Sequence, residues 1–161
     1  MNLIKLFELQ KELDQHIENE HPRAEGASRH KEKVLAQLVE LGELANETRC
    51  FKFWSHKPES KPWVILEEYV DGIHFLLSLG LEMDIKKFEI ESSKSSGLTE
   101  HFLGLFNAFS ILYIAFSPKA YSAAFSAYIG LGEMLGFTWE EIEEAYFQKN
   151  AVNHQRQEES Y

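Results

Sequence analysis

Two acidic steps are the residues best placed to do chemistry in this chain. Glu40 and Glu43 form an ExxE step, Glu68 and Asp71 form an ExxD step, and equal stretches of chain separate Glu40 from Glu68 and Glu43 from Asp71. Residues three apart lie about 60° apart around an α-helix, so each step puts two carboxylates on one face. If the two helices fold back on each other, four carboxylates converge, and their repulsion calls for a cation. Ligands that are all oxygen select a hard ion, Mg2+ or Mn2+. The competing explanation is a solvated acidic stripe, extended by Glu47 and balanced by Arg49 or Lys52. Both steps, however, are set among Leu, Val, Tyr and Phe, and a carboxylate buried in such company needs a partner.

A second cluster lies near the other end of the chain. Lys149, Asn153 and Arg156 follow at steps of four and three, one helical face of donors suited to phosphate oxygens. The same residues would equally serve as an ordinary basic helix C-terminus. His74 follows Asp71 by three, where a packed core role competes with a functional one. Phe53 and Trp54 could stack a base or simply be core.

The elements that must position these groups can be read from apolar spacing. Leu3, Leu6, Phe7, Leu9, Leu13 and Ile17 predict a first helix from about Asn2 to Glu20. Ser28 is a candidate cap for a second, which carries the ExxE step and ends near Cys50 to Trp54. Pro62 suits the first turn of a third, which runs to about Leu79 and carries the ExxD step. The stretch 80–97, with SSKSSG at its end, reads as an exposed loop. A strongly apolar fourth helix starts at Thr99, and Ser117 and Pro118 open a fifth. That helix carries small residues (Ala123, Ala124, Ala127, Gly130, Gly132) that would admit a close neighbour. Thr138 and Glu141 predict a capping box for a sixth, from Trp139 to Asn150 or beyond. No segment alternates with period two, so the expected fold is all-α, a bundle of about six helices.

With 161 residues, 44% of them hydrophobic, the chain can bury one core, and a single domain over 1–161 is expected. A net charge of −10 argues against gripping nucleic acid or an anionic membrane, but not against a small phosphorylated ligand held through metal. Cys50 is the single cysteine, so no internal disulfide can form, and a reducing, cytoplasmic setting fits. The N-terminus is too charged for a signal peptide.

These motifs together resemble the dimeric, all-α dUTPase family, relatives of the MazG-type nucleotide pyrophosphohydrolases. The resemblance spans nearly the whole chain and rests on ELGELANETRCFKFWS at 40–55, LEEYVDGIHFLLSLG at 66–80 and KNxxNxxRQ at 149–157. ExxE followed by ExxD belongs to the whole superfamily; the FKxW element, the His after ExxD and the C-terminal motif are more particular to the dUTPase branch. The resemblance implies hydrolysis of dUTP, and of dUDP, to dUMP by a cytoplasmic homodimer. It implies two or three Mg2+ ions on Glu40, Glu43, Glu68 and Asp71, with Glu40 or Glu43 as the base for the attacking water. It places Lys52, Lys149, Asn153, Arg156 and Tyr161 on the phosphates, and Gln10, Asp14, His74 and Trp54 at the base and sugar. Relatives commonly carry Asn where Asp14 stands. A MazG-like enzyme for another nucleotide and a catalytically silent partner-binding protein are the alternatives. The serine-rich loop and the C-terminal segment are candidates for closing on substrate.

Overall fold

The computed structural model describes residues 3–85 and 90–159, which form six α-helices with no strand among the described residues. They are α1 (Leu3–Glu20), α2 (His30–Thr48), α3 (Pro62–Glu82), α4 (Leu98–Ile114), α5 (Pro118–Met134) and α6 (Trp139–Glu158). The all-α expectation holds. α3 is the hub, packing on α1, α2, α5 and α6, while α4 packs on α5 and α2. Its buried residues, among them Ile65, Tyr69, Val70, Ile73, Leu76 and Leu77, go round most of its circumference, which is why neighbours surround it.

α3 and α5 are joined by tyrosines. The Tyr69 hydroxyl donates to the Tyr128 carbonyl (3.2 Å), the Tyr128 hydroxyl donates to the Tyr69 carbonyl (2.9 Å), and the two rings stack. Tyr121 donates to the Leu76 carbonyl at 2.9 Å. Glycines make these approaches possible, since a β-carbon at Gly72 would lie 2.0 Å from the Tyr128 hydroxyl oxygen and one at Gly80 2.5 Å from that of Tyr121. Satisfying a hydroxyl inside an apolar core avoids a cost of about 1–3 kcal/mol for an unpaired polar group.

Capping follows the sequence in part. Thr138 and Glu141 form the expected box, Ser117 accepts from the Ala120 amide, and Pro62 opens α3. Ser28 does not cap α2. Arg29 holds that position; the Ser28 hydroxyl oxygen accepts from the His30 amide (3.3 Å), and the hydroxyl donates to Glu82 at 2.9 Å. α2 ends earlier than expected, at Thr48, because Arg49 takes a left-handed conformation (φ 57°) and turns the chain. α3 runs past Gly80 to Glu82, since Gly80 serves close packing and not termination.

Residues 86–89 of the expected loop lie outside the described residues. Its serine-rich part is exposed but tied to α5: Ser92 donates to Glu133 (2.8 Å), Lys94 pairs with Glu133 (2.8 Å), and the Ser93 carbonyl sits where a Gly130 β-carbon would be. The small residues of α5 thus admit this loop and Tyr69, the latter at Gly132. Anchored in this way, the serine-rich segment lines no part of the cavity described below.

Candidate active site

α2 and α3 run antiparallel. The Ser60 amide donates to the Glu47 carbonyl at one end, and the Arg29 amide donates to Glu82 at the other. Midway between these fixed points the register brings the two acidic steps face to face. Oxygens of Glu40, Glu68 and Asp71 lie within 4.8 Å of one another. Glu43 is exposed and stands to the side of this trio, close enough to raise both Glu40 and Glu68.

The electrostatics are those of crowded acids. Burial, and then repulsion from Asp71, Glu43 and Glu68, push Glu40 up to about 7. Glu68 is raised by burial and by Asp71 and Glu43. Asp71 is raised by burial, although Lys149 pulls the other way from 2.7 Å. Lys149 also meets Glu67 at 3.0 Å; burial opposes its charge, but the two acids outweigh it and hold it above the usual lysine value. Arg49 and Lys52, the balancing cations suggested by sequence proximity, are occupied elsewhere. Arg49 donates to Ser55 and to the Lys57 carbonyl, and Lys52 donates to Asn46. Lys149, with Arg156 acting on Asp71 from further off, therefore serves an acidic cluster that remains proton-hungry, with a donor set entirely of carboxylate oxygen. These residues fit a hard divalent cation, since such an ion relieves repulsion that the chain's own cations do not.

A cavity of about 380 Å³ extends from this cluster. Small-molecule sites usually span about 300–1,000 Å³. Seven residues singled out from the sequence line it: Gln10, Asp14, Glu40, Asp71, His74, Asn153 and Arg156. α1 supplies the first two one turn apart, α6 the last two. At the end away from the acids the Gln10 carbonyl accepts from Tyr146 (2.9 Å) and from His74 Nδ1 (2.8 Å), and its amide donates to Asp14 (2.8 Å). Asp14 also accepts from Ser78 (2.6 Å) and from Lys33 (3.3 Å).

This network fixes His74. Its Nδ1 faces a carbonyl oxygen, so the proton sits there, and the buried Nε2 is a bare acceptor with no partner among the described residues. Burial, assisted by Lys149, pushes its pKa down to about 3. A base depressed in the fold contributes stability that is complete above its unfolded value of 6.5 and is lost as pH falls toward 3. We expect imidazole 15N shifts to report a neutral Nδ1–H tautomer still at about pH 5; a midpoint near the ordinary value would contradict the geometry.

Not every candidate joins the cavity. Lys52 and Trp54 lie on the turn after α2 and do not line it, nor do Glu43, Glu68 and Lys149, which border its acid end from outside; Trp54 is 64% and Phe53 93% exposed, so neither is core. Tyr161 lies outside the described residues. Sequence reasoning passed over Lys33, Ser78 and Glu82. Glu82 accepts from Arg23, Ser28 and the Arg29 amide and pairs with Lys33, donors that overcome its burial and hold it at about 2. A signal was available: Asp71, His74, Ser78 and Glu82 form one continuous stripe along α3 at helical spacing.

No helix among the described residues is long and apolar enough to cross a membrane. A comparison with curated proteins returns no match. The family described as dUTPase, by contrast, matches residues 2–161. With an all-helical fold, a carboxylate cluster suited to the divalent metal on which that family generally depends, and a match that covers the chain, the protein belongs to the all-α dUTPase family and is a dUTP diphosphatase.

Proposed function

We propose that the chain, working as one unit over 1–161 in the cytoplasm, hydrolyses dUTP to dUMP and pyrophosphate, and dUDP to dUMP and phosphate, with Mg2+ as its ion. The observation that carries this reading is one continuous cavity running from Glu40 and Asp71, two of the three converged acids, to the Gln10, Asp14 and His74 network, with Asn153 and Arg156 along its wall. Divalent cations held by Glu40, Glu68 and Asp71, with Glu43 beside them, would neutralise the phosphates and acidify a water for attack at neutral pH.

The chain's own side chains do the rest. Lys149, Asn153 and Arg156 present donors from α6 to the phosphate oxygens, joined by Lys52 and Tyr161. Glu40 or Glu43 takes the proton of the attacking water. His74 Nε2 and Asp14 accept from the nucleoside, Gln10 holds both in place, and Trp54 covers the base as the exposed turn closes over it. A pocket without room for a 5-methyl group excludes thymine. The test is a turnover panel of all dNTPs and NTPs with Mg2+. We expect dUTP first and dUDP accepted; preference for dCTP or a ribonucleotide would replace this reading with that of a MazG-like enzyme.

The homodimer belongs to the same proposal. α2 and α4 lie antiparallel, with the His30 ring against Phe116 and the Thr99 hydroxyl donating to the Cys50 carbonyl. Together they present Leu35, Val39, Leu103, Ile111 and Ile114, between 46% and 79% exposed. Such an apolar stripe on a charged molecule suits a second copy. Sedimentation should show a dimer that the double substitution Leu35→Glu, Ile114→Glu converts to monomer; a monomeric native protein would remove this part of the proposal.

A further inference from the structure

Away from the acid cavity, α1 and α6 meet at a pair of histidines. His16 Nδ1 and His154 Nδ1 lie 2.8 Å apart, with the rings 28° from parallel. Both side chains are partly buried, and an open cleft lined by Glu8, Glu12, Gln15 and Asn19 lies in front of them. That cleft shares no lining residue with the acid cavity.

We propose that His16 and His154 form a second cation site, a two-imidazole clip for a borderline transition ion such as Ni2+, Cu2+ or Zn2+, that staples α1 to α6. The spacing carries the argument. Metal to imidazole nitrogen distances are about 2.0–2.1 Å, so two nitrogens separated as these are subtend an angle of about 85–90° at the ion. That is the angle between neighbouring ligands of a square-planar or octahedral centre, the preference of Cu2+ and Ni2+. In the free protein this contact is an Nδ1–Nδ1 hydrogen bond, and an ion would replace it, taking both nitrogens unprotonated with each ring as its Nε2–H tautomer. Glu12, one turn before His16 on the same face, lines the cleft together with Glu8 and Lys11, outside ligating distance of the pair. Imidazole nitrogen is a poor ligand for Mg2+, so the molecule separates its cations by hardness: oxygen ligands in the acid cavity, nitrogen ligands in the clip. Because His154 follows Asn153 directly, an ion in the clip fixes the part of α6 that lines the acid cavity.

The experiment titrates Ni2+ into the full chain held in excess Mg2+, read by imidazole 1H–15N spectra. We expect the His16 and His154 signals to broaden first, below one equivalent, ahead of the other histidines. His16→Gln and His154→Gln should each raise the Ni2+ dissociation constant by about tenfold or more, with helicity and Mg2+-supported dUTP turnover retained. Broadening that begins at other histidines, absence of broadening at one equivalent, or unchanged Ni2+ affinity in both variants would overturn the clip.

Discussion

Glu40→Gln should lower dUTP turnover by about 10²–10⁴-fold and at the same time raise the melting temperature of the metal-free enzyme at pH 8. The two effects share one cause. Glu40 is pushed from 4.5 to about 7 by burial and by its acidic neighbours, so the fold disfavours its charged form. Between those values the folded protein holds more protons than the unfolded chain, and the metal-free protein loses stability as pH rises through that window. Glutamine removes the charge and with it the loss. A divalent ion should do the same for the native protein, which therefore gains melting temperature with Mn2+ or Mg2+, whereas the variant gains much less. Paired melts with and without the ion, alongside turnover, check this. Native turnover in the variant, or an undiminished ion-dependent gain, would remove Glu40 from the site.

The second large effect is structural. Gly72→Ala replaces a poor helix former by the best one, a gain of about 1 kcal/mol in an open helix. Here the new methyl would lie 2.0 Å from the hydroxyl oxygen of Tyr128, a fully buried ring held by its bond to the Tyr69 carbonyl. Overpacking of this kind costs about 1–3 kcal/mol, occasionally more, so the sign of the change reverses and the variant is less stable. Because Gly72 adjoins Asp71, the displacement also reaches the acids. We expect a lower denaturation midpoint and weaker binding of divalent ion; a variant as stable as the native chain would mean that Tyr128 has room to move.

The acids were legible because a helical period fixes which residues share a face, and two consecutive helices that fold back on each other can bring two such faces together. What spacing could not supply was the partner of each group. Lys149 and Asp71 are far apart in the chain, and their contact exists only once α6 lies on α3. Lys52 and Arg49, near the acids in sequence, are turned away by the left-handed residue that ends α2. Gln10, Asp14 and His74 were reached through family resemblance; the network that orients them needed Ser78, Lys33 and Tyr146, whose meaning lies in contacts across helices. Gly80 misled because glycine reads as a stop, while here it admits a tyrosine. For Trp54 and Phe53, spacing left base stacking and core open, and the structure puts both on an outer turn, away from the core.

Anomalous diffraction from crystals grown with Mn2+ and a non-hydrolysable dUTP analogue tests the central claim most directly. Manganese peaks are expected between the carboxylates of Glu40, Glu68 and Asp71, with the analogue's phosphates against them and its base toward Gln10 and His74. Nucleotide bound elsewhere, or manganese absent from these carboxylates while nucleotide is present, would contradict it.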